Sequence, residues 1–425
     1  MNDLLLIAAI VLPCWYGWKR SVERGRVEIN HVTTFSFGFL FYWITPLAVR
    51  VWAPRLNFPL SSIWSALFRP QSIEPYAVSC LALYLCFLVG DTLAIKRFQP
   101  RPAHNGAKVP KLALSMVTLA VCALALYSIW TMRANLFRYA QPGETQVGVA
   151  RGAVTACVVL LGVVALIVTI DLPEISWPRR LLSVYFLPLI VGGGMMLILG
   201  SRLYVASLLL MFLIYQTNLR GKVKLRTVVT IGLVLIFLFG AIGTWREGSS
   251  IKGAFFNVLL EPMEGSLSLV YYLRHNGIAW INAPTRLISD FRNLVPTVLM
   301  PEKIKMLKTP GIYRPLGGLH SFVSFNLNFG LIGTALFWFL LPIGLRYLKT
   351  RLSATLPATI YIMCSGWLAF TFFRDPFYIS LVKAIFQNSI LVPWAMVLFG
   401  RLLSAACAPA DESLPLAASP QIGDV

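Results

Sequence analysis

Long apolar runs, each closed off by Arg, Lys, Gly or Pro, dominate the pattern of this chain. Eleven runs cover roughly residues 3–18, 32–52, 75–95, 112–132, 151–171, 181–200, 203–218, 227–245, 321–345, 352–373 and 379–400. A helix of about twenty apolar residues crosses the hydrocarbon layer of a bilayer. A membrane barrel would instead show short segments of alternating polarity, and the chain has none. The expected fold is therefore all-α: a polytopic integral membrane helical bundle of about 11 transmembrane helices. The pattern divides it into an N-terminal bundle over 1–245 with about 8 helices, a long loop over 246–320, and about 3 C-terminal helices over 321–400. A tail over 401–425, rich in Ala, Pro and Ser, is expected to be disordered.

Orientation comes from the polar connections. Alternate ones read KRSVERGR, KRFQPRPAHNGAKVPK, PRR, LRGKVKLR and RYLKTR. Short basic loops stay in the cytoplasm, which predicts an outer N-terminus and a cytoplasmic C-terminus. The segments 53–74, 133–150 and 246–320, the turn around Arg374 and the tight turn Gly200-Ser201-Arg202 then face outward. Loops as long as 246–320 are uncommon without a function. Its spacing predicts amphipathic helices: Gly253 to Leu273, and an interfacial helix from Ala283 to Met300 carrying Arg286 and Arg292.

Composition agrees with a membrane chain and narrows its chemistry. Only 13% of residues are charged and 57% are hydrophobic, against about a quarter charged in soluble domains. The formal net charge is +20, but the cations sit at the ends of apolar runs, so no nucleic-acid partner is expected. The seven cysteines are scattered, with no CxxC pair, which supports neither a disulfide framework nor zinc. The phosphate-binding GxxxxGK[ST], the metal-binding HExxH and DxD, and the nucleophilic GxSxG are all missing. No metal ligand set and no cofactor are predicted.

The candidate functional residues lie on the outer side. Arg202 stands between two apolar runs with almost no loop, where a guanidinium must snorkel, line a wet cavity or meet an anion. The bland reading is an interfacial anchor; Gly192-Gly193-Gly194 and Gly200 beside it permit close packing. Arg374-Asp375 reads either as a local pair closing a turn or as an anion contact. Lys383, with Gln387 and Asn388 nearby, is the charge clearly inside a run, and facing a cavity suits it better than facing lipid. His320, preceded by Arg314 and Gly317-Gly318, can act as acid, base or donor, with a structural role as the bland alternative. Arg246, followed by Glu247, and Arg292, with Lys303, Lys305 and Lys308, belong to an outer face whose basic surplus suits a phosphate-bearing ligand, or anionic headgroups.

The stretches PTRLISDFRNLVPTVLMPEKIKM and RPLGGLHSFVSFNLNFGLIGTALFWFLL resemble bacterial oligosaccharide repeat-unit polymerases of the O-antigen polymerase type. GSRLYVASLLL looks like the Gly-Ser-Arg segment of that family, and FRDPF like its late outer Arg. The resemblance covers roughly 190–390. Two positions depart from it: Leu319 stands where a Thr often precedes the His, and Ser324 or Phe325 stands where an acidic residue is common. A catalytic carboxylate is therefore not carried over; Glu247, Glu261, Glu264 and Asp290 stay open as substitutes.

The resemblance implies a fold of the membrane glycosyltransferase (GT-C-like) class and a place in the bacterial inner membrane, with 246–320 in the periplasm. It implies a metal-independent polymerase joining undecaprenyl-diphosphate-linked oligosaccharides into O-antigen, capsule or exopolysaccharide. On that reading Arg202 and Arg374 face the diphosphate, with Lys383 or Arg314 assisting, and His320 orients or deprotonates the acceptor hydroxyl. Arg246, Glu247 and Arg292 would line the substrate path. Membrane lipids, a chain-length regulator and a flippase are the implied partners. An O-antigen ligase-like transferase would use the same chemistry. A lipid-linked oligosaccharide transporter would instead carry charges deep in many spans, where the sequence offers Lys383.

Overall fold

The computed structural model of the protein describes residues 3–45, 47–48, 70–99, 108–133, 145–199, 201–247, 254–295, 300 and 319–407. It is an all-α membrane bundle. The helices that matter below are α1 (Asp3–Lys19), α2 (His31–Gly38), α3 (Pro70–Arg97), α4 (Lys111–Met132), α5 (Thr145–Asp171), α6 (Leu187–Ile198), α7 (Arg202–Tyr215), α8 (Leu225–Glu247), α9 (Ala254–Asn276), α10 (Thr285–Asp290), α11 (Ser321–Lys349), α12 (Thr355–Leu368) and α13 (Val392–Cys407). Among the described residues six helices are long and apolar enough to cross a membrane: Glu74–Arg97, Lys111–Thr131, Ala150–Asp171, Arg202–Arg220, Ser321–Lys349 and Phe377–Ala406. Helix also occupies the described parts of the other predicted runs; α6 and α12 are short, with 12 and 14 residues.

Local chemistry explains where helices differ from the predicted bounds. The run 181–200 becomes helical only at Leu187, because Pro188 suits the first turn, where a missing N–H costs nothing. The run 352–373 breaks at Phe370, whose φ of −130° is not helical, and resumes as Thr371–Arg374. The interfacial helix expected over Ala283–Met300 is shorter: α10 passes into a 3-10 turn, Phe291–Leu294, and Val295 is extended. Pro296 follows, and a residue before proline avoids the helical region. Within 253–273 the expected helix is present as α9.

The centre of the bundle is α2, clasped by α3, α11 and α12. Phe35 stacks on Phe87 at 3.8 Å and meets Trp338 edge-on at 4.8 Å; Trp43, a turn or two on, lies 4.9 Å from Trp338. Helices in lipid gain little from apolar burial against one another, so such interlocked shapes and small contact residues hold them. Gly38 shows this directly: a Cβ there would sit 2.6 Å from the Leu368 carbonyl. Asn30 closes the N-terminus of α2 in a capping box with Thr33.

Among the described residues three stretches are π-helical: Phe39–Ile44 continuing α2, Gln216–Arg220 continuing α7, and Ser380–Leu391 leading into α13. Such wide turns are rare and frequent at functional sites. A small antiparallel sheet of β1 (Val22–Glu23), β2 (Arg26–Val27) and β3 (Val223–Lys224), in that order, ties two connections far apart in sequence.

Candidate functional site

Arg202 is the first residue of α7 and is half-buried. The turn before it is closed by Ser201 N–H donating to the Met196 carbonyl at 2.8 Å. Two residues on, Tyr204 packs edge-on against Trp367 at 5.5 Å and lies within electrostatic range of Arg374, Asp375 and Tyr378. Arg374 and Asp375 form the local pair, Nη1 to Oδ1, at 3.2 Å. The 3-10 turn carrying Arg292 docks on the same wall: Asn293 Nδ2 donates to the Tyr378 carbonyl at 2.6 Å, and Phe291 meets Phe386 at 5.6 Å. Three stretches far apart in sequence, 202–204, 291–293 and 374–386, thus converge at one end of the bundle.

Lys383 sits in the π-helical Ser380–Leu391, half-buried, and makes no hydrogen bond or ion pair with the described residues. Around this region three buried donors, Ser207 Oγ, Trp367 Nε1 and Thr371 Oγ1, have no partner among the described residues, nor does the acceptor Gln387 Oε1. A wall with an unneutralised ammonium and unspent donors is chemically suited to an oxygen-rich anion.

His320 is N-cap of α11 and only 2% exposed. Its Nδ1 accepts the Phe322 N–H at 3.2 Å, which leaves the proton on Nε2, facing the Tyr42 carbonyl at 3.2 Å. Burial pushes the imidazole down to about 4, against the opposing pull of the Tyr42 hydrogen bond. The ring is neutral at pH 7 with both nitrogens engaged. Its neighbour Ser321 links it to the late segment by donating to the Phe373 carbonyl at 2.6 Å.

The Asn-Leu-Asn-Phe-Gly run has a role that sequence reasoning missed. Asn326 clamps the loop after α9: its Oδ1 accepts Ala279 N–H at 3.0 Å and the Tyr272 hydroxyl at 2.9 Å, and its Nδ2 donates to the Ala279 carbonyl at 2.9 Å. Asn328 Oδ1 accepts Leu287 N–H at 2.6 Å. Gly330 breaks α11 with φ 65° and ψ −172°, and a Cβ there would lie 2.6 Å from the backbone of Trp280 and Ile281. The freed N–H groups of Leu331 and Ile332 donate to the Ala279 and Trp280 carbonyls at 2.9 and 3.0 Å. The segment 277–287 is therefore fastened into the start of a span. Paired asparagines before a glycine, in an otherwise apolar run, were the available signal.

The opposite end of the same helices holds a second polar cluster. Arg346 stands 25 residues beyond Ser321, about 38 Å along a helix. Asp91, buried in α3, accepts His31 Nε2–H at 3.0 Å, Arg346 Nε–H at 3.1 Å and Arg346 Nη2–H at 2.6 Å, with Arg20 at 3.8 Å. The His31 Nδ1 faces the Tyr361 hydroxyl at 3.2 Å. Lys349 pairs with Glu28 alongside. Lys383 is therefore not alone within the spans: Asp91 and Arg346 lie there too, made tolerable by mutual pairing. Neither His31 nor Asp91 stands out in the sequence, because their partners are up to 330 residues away.

Of the remaining expected residues, Arg292 is exposed at the convergence described above. Arg246 and Glu247 end α8, and their side chains lie outside the described residues, as do Arg314, Gly317 and Gly318. Of the glycines beside Arg202, Gly192 packs closely, 2.7 Å from Val158 for an added Cβ, whereas Gly193 and Gly194 have open space. Among the described residues no three His, Cys, Asp or Glu side chains gather as a metal group would need. Comparison with protein-family models, curated proteins and solved structures finds no match to this chain.

Proposed function

We propose that this chain is an inner-membrane glycosyltransferase of about eleven spans that polymerises oligosaccharide repeat units carried on undecaprenyl diphosphate. The observation that carries this reading is the convergence of Arg202, the Arg292 turn, Arg374 and the unneutralised Lys383 at one end of the bundle. In the reaction a hydroxyl oxygen of the acceptor repeat bonds to the anomeric carbon of the donor chain. The bond from that carbon to the diphosphate oxygen breaks, the lipid diphosphate leaves with the electron pair, and the hydroxyl proton passes to the departing diphosphate oxygen. Charge develops on the departing oxygen, so preorganised cations lower the barrier without taking part covalently. Arg202 and Arg374 are assigned to the diphosphate, and Lys383 to the same charge from deeper in the membrane. His320 orients the acceptor once its Nε2–H leaves the Tyr42 carbonyl; as the engaged N-cap it positions α11.

The test is chain elongation by purified protein on lipid-diphosphate-linked repeats. Wild type is expected to give a ladder, and Arg202→Ala and Arg374→Ala to lose it with folding intact. Transfer to a lipid A core acceptor without a ladder would identify a ligase instead. The buried His31–Asp91–Arg346 cluster favours one rival, a transporter of the lipid-linked glycan, since ionisable groups within spans mark transport paths. Movement of the lipid across vesicle membranes, with no ladder, would select it.

A further inference from the structure

We infer that the three-stranded sheet is a docking platform for the phosphate headgroups of anionic lipids. Positive loops are expected on one side of any membrane protein, but they need not be folded. Here two connections nearly two hundred residues apart are locked into one sheet, by Val22↔Val27, Glu23↔Arg26, Arg26↔Lys224 and Val27↔Val223 pairing. Leu225 N–H adds a bond to the Gly25 carbonyl at 2.9 Å.

Pleating sorts these residues into two rows, because cross-strand partners share a face. The valines form one row, and Val27 is fully buried against the bundle. Glu23, Arg26 and Lys224 form the other, and all three are exposed. Arg26 and Lys224 stand directly opposite each other, an arrangement that destabilises a strand pair. Arg26 has Glu23 opposite it on its other side, but among the described residues neither Arg26 nor Lys224 forms an ion pair; Glu23 is held by Lys222 at 2.5 Å. The hairpin turn adds a second cost. Arg24 and Gly25 have φ of 47° and 74°, and Arg24 is the one non-glycine residue with positive φ among those described. Asparagine or glycine suits that position and arginine does not. The fold thus accepts backbone strain and like-charge repulsion to hold three cations outward at fixed spacing, and a bound anion removes the repulsion.

The surroundings indicate a lipid rather than a soluble anion. Arg220, Lys222 and Arg226 are exposed beside the sheet. Directly preceding it, Trp15 and Tyr16 are 56% and 57% exposed, with Lys19 over the Trp15 ring at 5.0 Å and Arg20 over Tyr16 at 5.9 Å. Aromatic rings with cations above them belong at the headgroup level. The strand that follows opens α8, whose Leu233 and Val234 are exposed as for lipid contact. The platform lies where apolar helix surface ends, within reach of headgroup phosphates.

The experiment compares purified protein in nanodiscs of phosphatidylcholine alone and with about a quarter phosphatidylglycerol, reading retained lipid by native mass spectrometry and unfolding in neutral detergent. Wild type is expected to retain phosphatidylglycerol preferentially. Arg26→Gln with Lys224→Gln should weaken that preference about thirtyfold, the effect of two surface charges. Arg24→Asn should weaken it about fivefold. In neutral detergent without anionic lipid both variants should be at least as stable as wild type, since strain and repulsion are relieved. A control, Lys96→Gln with Arg97→Gln, removes two cations of the same end but off the sheet and should change little.

Equal loss in that control would reduce the effect to net charge and overturn the platform. Unchanged lipid preference in the sheet variants, or their destabilisation in neutral detergent, would overturn it as well. Protection of wild type by inorganic phosphate to the same extent as by phosphatidylglycerol would make the occupant a soluble anion and overturn the lipid assignment.

Discussion

Replacing Asp91 with alanine removes the acceptor at the centre of the buried cluster. The carboxylate is 2% exposed and takes three hydrogen bonds, two from Arg346 and one from His31, with Arg20 at 3.8 Å. The His31 ring is fully buried and the Arg346 side chain only 15% exposed, so neither can turn to water. Stranding a buried cation and a buried N–H costs about 3–5 kcal/mol. Asp91→Asn keeps one acceptor for His31 and loses the charge, and should cost about half as much. The decisive comparison is a cycle with Arg346→Met. Each single change leaves an unpaired charge, whereas the double variant Asp91→Asn with Arg346→Met removes both and should be less damaging than the sum by about 2 kcal/mol. Reversible unfolding in mixed detergent measures wild type, Asp91→Ala and the three variants of the cycle. If Asp91→Ala unfolds within about 0.5 kcal/mol of wild type, or the double variant equals the sum of the singles, the cluster is not the clamp described here.

Other outcomes follow from the opposite end of the bundle. Gly330→Ala would place a side chain in a backbone region open essentially to glycine, against the Trp280 carbonyl, at a cost of about 2 kcal/mol or more; protease cleavage within 277–287 should rise with it, and an unaltered melt would refute the clamp. Lys383→Met should raise stability, by about 1 kcal/mol, while abolishing elongation, since it removes a cation that has no partner among the described residues; loss of both stability and activity would mean a structural lysine. His320 has a folded-state value near 4, below the ordinary value of about 6.5, so the unfolded chain takes up the proton first. Its contribution to stability is full above pH 6.5 and is lost as the pH falls toward 4. His320→Asn keeps a cap and cannot titrate, so the gap between its melting temperature and that of wild type should narrow on that descent; a gap independent of pH would show the ring is not buried as described.

What the sequence determined by itself was the class of molecule and the runs that become helices. Twenty-residue apolar segments have one stable form in lipid, since every backbone group must be satisfied within the segment. Amphipathic spacing gave α9 in the same way, and the proline rules account for the late start of α6 and the early end of α10. The candidate cations were legible as well, because a charge beside an apolar run is conspicuous wherever the chain goes. Their convergence was not legible: Arg202, the Arg292 turn, Arg374 and Lys383 come to one end only because α7 and Ser380–Leu391 both pack on α12 and the turn after α10 docks on the last span. The same holds for the inner cluster, where His31, Asp91 and Arg346 are unremarkable polar residues on three separate helices. The sheet joining Val22–Val27 to Val223–Lys224, and the insertion of segment 277–287 at Gly330, depend on contacts between distant segments. Helix bonds are local and are written in residue spacing. Which helix faces meet, and so which charges find each other, was decided by interlocking of large rings and bare glycine backbones that no single segment encodes.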